Sequence, residues 1–214
     1  MFAGQPYLTP TYMIDPGSGQ KGAIAFEDEF TGFGNARIVP ELTEERILEH
    51  IRKIQRDGLI EPSKELEEWY NLTIEMETGV GKTYTYIKTM YELNKRYGWS
   101  KFIVVVPSVA IREGVYKSFQ ITEDHFAEEY NKRIRYFIYN SAQLTEIDRF
   151  ASDSAINVMI INSQAFSSPQ TDKKTGKLKD VKGNKIYRPS DDFRSRKPID
   201  IIAKTNPILI IDEP

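Results

Sequence analysis

Gly79-Val80-Gly81-Lys82-Thr83 sits between a stretch that reads as a strand and one that reads as a helix, and that placement restricts the fold more than any other feature. Leu72 to Met76 precedes it as the strand. Lys82 to Tyr97 follows as the helix, with Ile87, Met90 and Tyr91 on one face, Lys95 and Arg96 in the last turn and Gly98 as the stop. Gly79 and Gly81 let the backbone turn tightly, so that consecutive N–H groups point inward, and the helix N-terminus adds partial positive charge. A loop of this kind cradles phosphate groups. Lys82 is placed to reach β- and γ-phosphates, and the Thr83 hydroxyl is placed to ligate Mg2+. Met76 stands where the strict G-x-x-x-x-G-K-[ST] pattern has its first glycine, but the Gly-x-Gly-Lys-Thr core is intact.

The remaining elements extend this unit into an α/β fold. Phe102 to Val106 is apolar at every position, which marks a strand buried on both faces of a parallel sheet. Pro107-Ser108 ends it and starts a helix running to about Phe119. Ile134 to Tyr139, Ile156 to Ile161 and Pro207 to Ile211 read as further strands. Strands separated by helices predict a doubly wound parallel sheet with helices on both faces. Thr43 is placed to cap a helix over 41–56 that carries Ile47, Leu48, Ile51 and Ile54, and Pro62-Ser63 to open a short one from about Lys64 to Tyr70. Residues 1–40, rich in Gly, Pro and aromatics, read as an irregular arm or small β addition. Residues 41–214 read as the main domain, with an insertion at 167–200.

Composition narrows the chemistry. No cysteine occurs in the 214 residues, which excludes a disulfide scaffold, a thiolate zinc site and a cysteine nucleophile. The only histidines are His50 and His125, a poor supply for a metal centre. With 29 Lys and Arg against 31 Asp and Glu, the net charge is −2, so any nucleic-acid contact must be local. The segment 167–200 is the local exception, with ten basic residues against five acidic ones. It reads as a mobile surface insertion, either a solvated loop or a phosphate-contacting one. No apolar run is long enough to span a membrane and no secretory signal is visible, so the expected location is the cytoplasm.

Ile208-Leu209-Ile210-Ile211-Asp212-Glu213-Pro214 supplies the second chemical signal. Four apolar residues followed by two acids predict a buried strand delivering carboxylates to the sheet edge where α/β folds bind ligands. Asp212 suits Mg2+, directly or through water, and Glu213 suits polarisation of an attacking water. Ser108 is a good helix cap; in a functional reading, the backbone around it and Arg112 contact a nucleic-acid phosphate. Asn162-Ser163-Gln164-Ala165-Phe166 is either a turn rich in polar caps or a second backbone-contacting loop. Gly17-Ser18-Gly19-Gln20-Lys21-Gly22 matches G-x-G-x-x-G but follows no strand and precedes no helix, so dinucleotide binding there is dismissed. Asn71-Leu72-Thr73 fits a glycosylation acceptor only in name, since it lies in the predicted strand.

Met76 to Thr83 resembles motif I of superfamily 2 helicases, and Asp212-Glu213-Pro214 resembles the Asp-Glu-Pro form of motif II. Thr83 to Phe119, together with Lys197 to Ile202 leading into Asn206-Pro207, is similar to the restriction (Res) subunit of type III restriction–modification enzymes. The resemblance covers about residues 50–214. It implies a RecA-like P-loop domain, the first of two motor domains in an ATP-dependent DNA translocase that also carries a nuclease domain and acts with a methyltransferase (Mod) subunit. It implies further that Thr78, Gly79, Val80, Gly81, Lys82 and Thr83 bind the triphosphate, that Asp212 holds Mg2+, and that Glu213 orients the water. Ser108 to Arg112 and Asn162 to Gln164 correspond to DNA-strand contacts, and Gln55 to an adenine contact. Alternatives are another superfamily 2 helicase, a type I restriction motor, or a nucleotide-binding module without turnover. The chain stops inside motif II, so by itself it is expected to be a poor ATPase. An arginine finger from an opposing domain is worth ~10³–10⁵ in rate.

Overall fold

Among the described residues, six strands, β1 (Tyr12–Asp15), β2 (Phe30–Phe33), β3 (Lys101–Val106), β4 (Arg135–Ile138), β5 (Asn157–Asn162) and β6 (Ile208–Ile211), form two sheets. Five helices accompany them: α1 (Glu44–Asp57), α2 (Lys82–Tyr97), α3 (Val109–Tyr130), α4 (Thr145–Ser152) and α5 (Pro198–Lys204). The structure is a computed structural model that describes residues 1–15, 30–66, 70–166, 185–190 and 193–213. The larger sheet has the order β4-β5-β3-β6 and every pairing in it is parallel. β3 is central, and its alternate residues feed two cores. Phe102, Val104 and Val106 pack with α2 and α3, while Ile103 and Val105 pack with α4 and α5. That two-sided cover is why β3 has no polar alternation.

Helix ends follow local chemistry. Thr43 caps α1 by accepting from the Arg46 N–H, and Gly98 ends α2 in the left-handed region at φ 79°. A side chain at Gly98 would also strike the Leu8 carbonyl, so the glycine lets the N-terminal arm pass close beneath the sheet. Ser108 caps α3, which continues to Tyr130, well past the predicted end at Phe119. The extension is held by Phe126, fully buried against Tyr91 and tilted against the Tyr84 ring.

Four expectations are corrected. Leu72 to Met76 forms no strand; Ile74 is exposed, and β6 pairs only with β3 among the described residues. A strand has no stability apart from a ladder, and this segment has none. Lys64 to Leu66 are not helical, because Arg52 of α1 binds the carbonyls of Ser63 and Lys64; residues 67–69 lie outside the described residues. β6 is half-buried rather than buried. Leu209 and Ile211, on the α4–α5 side of the sheet, are 56% and 58% exposed because the strand lies at the sheet edge. The basic segment is not wholly a surface loop either. Ile186 and Phe193 are buried in the second core, and Arg196 lies 4.4 Å over the Phe193 ring while pairing with Asp148 at 2.8 Å. Residues 167–184 and 191–192, with most of its lysines, lie outside the described residues, as does the Gly17–Gly22 pattern.

The arm of residues 1–40 contains the β1–β2 antiparallel hairpin and is fixed to the base of the large sheet by Asn35. The Asn35 side chain accepts from the N–H groups of Ser100 and Lys101 and donates to the Lys101 carbonyl at 2.8 Å. Its backbone joins Thr205 and the Asn206 side chain.

Lys101, at the start of β3, is fully buried; its ammonium donates to the carbonyls of Phe150 and Asp153 at the end of α4. Burial pushes its pKa down to about 8. Between that value and the ordinary lysine value near 10.5 the unfolded chain binds more protons, so stability should rise with pH. From about pH 7.5 to 9.5 the expected gain is about 2 kcal/mol in urea-unfolding free energy. The gain should vanish in Lys101→Met. Above pH 10 the buried Tyr91 and the half-buried Tyr139, whose pKa values burial raises, reverse the trend.

Candidate functional site

Because all four strands of the large sheet are parallel, the residues after β3, β5 and β6 emerge along one edge. Gly79 and Gly81 adopt φ 83° and 92°, a left-handed backbone that strains any other residue. A side chain would meet nothing within 4 Å at Gly79, so conformation and not crowding requires the glycine. Gly81 is the N-cap of α2; no side chain caps that terminus and no acidic residue lies in the first turn. Its N–H groups and partial positive charge are therefore available to an anion. Thr78 and Val80 are exposed in the loop.

β6 and α2 bring two predicted residues together. Lys82 Nζ lies 3.6 Å from Glu213 Oε1, with both side chains partly exposed. An ion pair in that setting is worth at most about 1 kcal/mol, so an incoming phosphate can displace it cheaply. Asp212 extends the β6 ladder by one bond, donating its N–H to the Val105 carbonyl at 2.9 Å. Glu213 then takes φ 57° and turns the chain off the strand axis. The Tyr86 hydroxyl donates to Asp212 Oδ2 at 3.3 Å. Burial is the main cause that raises the Tyr86 pKa, so the phenol stays protonated.

A second group lies along the same edge. Arg112 Nη1 donates to Asn162 Oδ1 at 3.2 Å, which joins the first turn of α3 to the end of β5. Glu113 pairs with the same guanidinium at 2.9 Å, a partner that the sequence reading missed. Ser108 accepts from the Ile111 N–H and so acts as a helix cap. Gln164 is exposed in the 3-10 turn Ser163–Phe166 that follows β5. Gln55 is not brought to this edge by any hydrogen bond among the described residues. Its amide donates to Ser63 Oγ at 2.8 Å and accepts from the Ser63 N–H at 2.9 Å.

The family model described as type III restriction enzyme, res subunit, matches residues 40–214. The chain belongs to that family. It is 29% identical over 194 residues to the Res subunit of the type III restriction-modification enzyme EcoP15I of Escherichia coli, covering 81% of this chain and 19% of that protein. It is also 29% identical to the EcoPI Res subunit of Escherichia phage P1, over 83% of this chain and 19% of that one. The StyLTI Res subunit of Salmonella typhimurium is 34% identical over 170 residues, 67% of this chain and 15% of its own length. The chain thus spans about a fifth of the length of the Res subunits it matches. It is an α/β domain with a four-stranded parallel sheet flanked by helices, as fits a RecA-like Res domain.

Family membership implies nucleotide binding, and the donor set of this Res domain suits Mg2+ accompanying a triphosphate. Mg2+ keeps several waters and takes one or two carboxylates together with substrate phosphates, not an all-protein cage. One hydroxyl, Thr83, and one carboxylate, Asp212, meet that demand. Among the described residues, no group of three or more His, Asp and Glu is placed to hold a metal alone. Tyr86 is the residue of this site that sequence reasoning missed. Its signal was the i, i+3 spacing from Thr83, which puts both on one face of α2. No helix among the described residues is long and apolar enough to cross a membrane.

Proposed function

We propose that residues 41–214 are the first motor domain of a type III Res subunit, binding ATP·Mg2+ and coupling its hydrolysis to translocation on double-stranded DNA ahead of cleavage. Residues 1–40 are then an addition to that domain. The observation that carries the reading is the approach of Lys82, at the phosphate loop, to Glu213, at the end of β6. In a nucleotide site these are the phosphate-binding and water-orienting sides of one reaction centre.

In this reading the N–H groups of Thr78 to Thr83 and the Lys82 ammonium bind the triphosphate. Thr83 and Asp212 hold Mg2+, which supplies charge neutralisation on the phosphate oxygens when bound. Glu213 accepts a hydrogen bond from the attacking water and aligns it. Ser108, Arg112, Asn162 and Gln164 contact the DNA backbone, with Arg112 exchanging Glu113 for a phosphate. Gln55 reaches an adenine only by giving up its bonds to Ser63. The methyltransferase (Mod) subunit is the partner that fits this family, and a cytoplasmic location fits a DNA motor.

Equilibrium titration tests the reading. ATP should bind more tightly with Mg2+ than without it. Duplex DNA should bind without sequence preference, with log affinity falling linearly against log salt. Absence of Mg2+-dependent ATP binding would overturn the proposal, and salt-independent DNA affinity would remove the phosphate-contact role of Arg112.

A further inference from the structure

We propose that Tyr86 is a positioning residue that orients Asp212 for a divalent cation; this rests on the nucleotide-site reading above. Tyr86 connects two elements that no backbone bond joins. It stands on the second turn of α2, three residues after Thr83, and its hydroxyl reaches across to Asp212 at the end of β6. The ring is half-buried and packs against the core shared by α2, α3 and the sheet, so the hydroxyl is held from behind.

The polarity of the bond gives the argument. An ionised carboxylate only accepts hydrogen bonds, and a phenol has one proton to give. Tyr86 gives that proton to Asp212 Oδ2. The bond engages one carboxylate oxygen and so fixes how the other is presented to a cation. Partners outside the coordination sphere that fix ligand orientation commonly control metal affinity 10- to 100-fold.

Tyr86→Phe in the 214-residue chain keeps the ring and removes the bond to Asp212. The Mg2+ concentration that half-saturates the enhancement of ATP binding should rise about 10- to 100-fold. ATP affinity in EDTA and the thermal unfolding midpoint should stay at the wild-type values. Mn2+ serves as an independent probe: its binding to the ATP-loaded chain, followed by paramagnetic relaxation of water, should weaken by the same factor. A Mg2+ requirement within twofold of wild type overturns the proposal. So does an equal loss of ATP affinity with and without metal, which would make Tyr86 a packing residue only. If wild-type protein shows no Mg2+ enhancement at all, the nucleotide reading fails and this inference with it.

Discussion

Glu213→Gln is expected to lower DNA-stimulated ATP turnover 10²–10⁴-fold, the range a positioned general base contributes, while leaving ATP affinity unchanged. The substitution keeps the size and the hydrogen-bonding end of the side chain. A residue at φ 57° turning the chain off β6 meets no new backbone demand when Glu becomes Gln. What it removes is the full negative charge, which matters most as the water loses its proton. Loss of turnover with retained binding is the signature of a group acting in the transition state. The measurement belongs in a chain of the relatives' full length carrying this segment, with steady-state phosphate release followed with and without duplex DNA. Turnover within about a factor of two of wild type would reduce Glu213 to the ion-pair partner of Lys82.

Lys82→Ala should weaken ATP·Mg2+ binding by about 1.5–3 kcal/mol, the value of a charge-assisted contact, or roughly 10- to 150-fold in Kd. Lys82 is the first residue of α2 and its side chain is partly exposed, so the fold should survive its removal. Alanine is also the best helix former. The Glu213 carboxylate is left without its cation, and a triphosphate entering the loop then meets an unscreened negative charge. That repulsion adds to the lost attraction, so Lys82→Ala should be more damaging than Lys82→Ala combined with Glu213→Gln. Isothermal titration of the four proteins measures this coupling. Equal losses in single and double variants would show that the two side chains do not share a ligand.

How much of this was legible depended on whether a signal was local. β3 could be read at every residue because burial on both faces leaves an unbroken apolar run, and α2 was read end to end because Gly81 and Gly98 bracket it. The phosphate loop is a local motif and kept its place before α2. Its leading strand did not form, since Leu72 to Met76 has the composition of a strand but no ladder partner. The far half of α3 was missed because Glu123, Asp124, Glu128 and Glu129 hide its one fully buried residue, Phe126. α4 was not located between β4 and β5; eight residues give too few turns for a period to show. Asn35 and Lys101 were illegible for a different reason. Each acts as a single polar group whose partners are brought in by tertiary structure, and no spacing rule announces them. In the site, Lys82 and Glu213 were predicted separately and meet through folding, whereas Arg112 and Asn162 meet through a bond that neither segment foretold.

The bracket made by Asn35 also sets a timetable. Its side chain waits for Ser100 and Lys101, and its backbone for Thr205 and Asn206, which are made about 170 residues later. At ribosomal speeds of roughly 5–20 residues per second that interval is on the order of 10–30 s. Residues 1–40 are thus made well before the last of their anchors. For that period the arm leans on parts made earlier, such as α4, against which Phe30 and Gly32 of β2 pack, and Lys101 enters the interior before the arm is secured. Nascent chains stalled before codon 205 should accordingly lose their first forty residues to protease, and chains released after it should keep them.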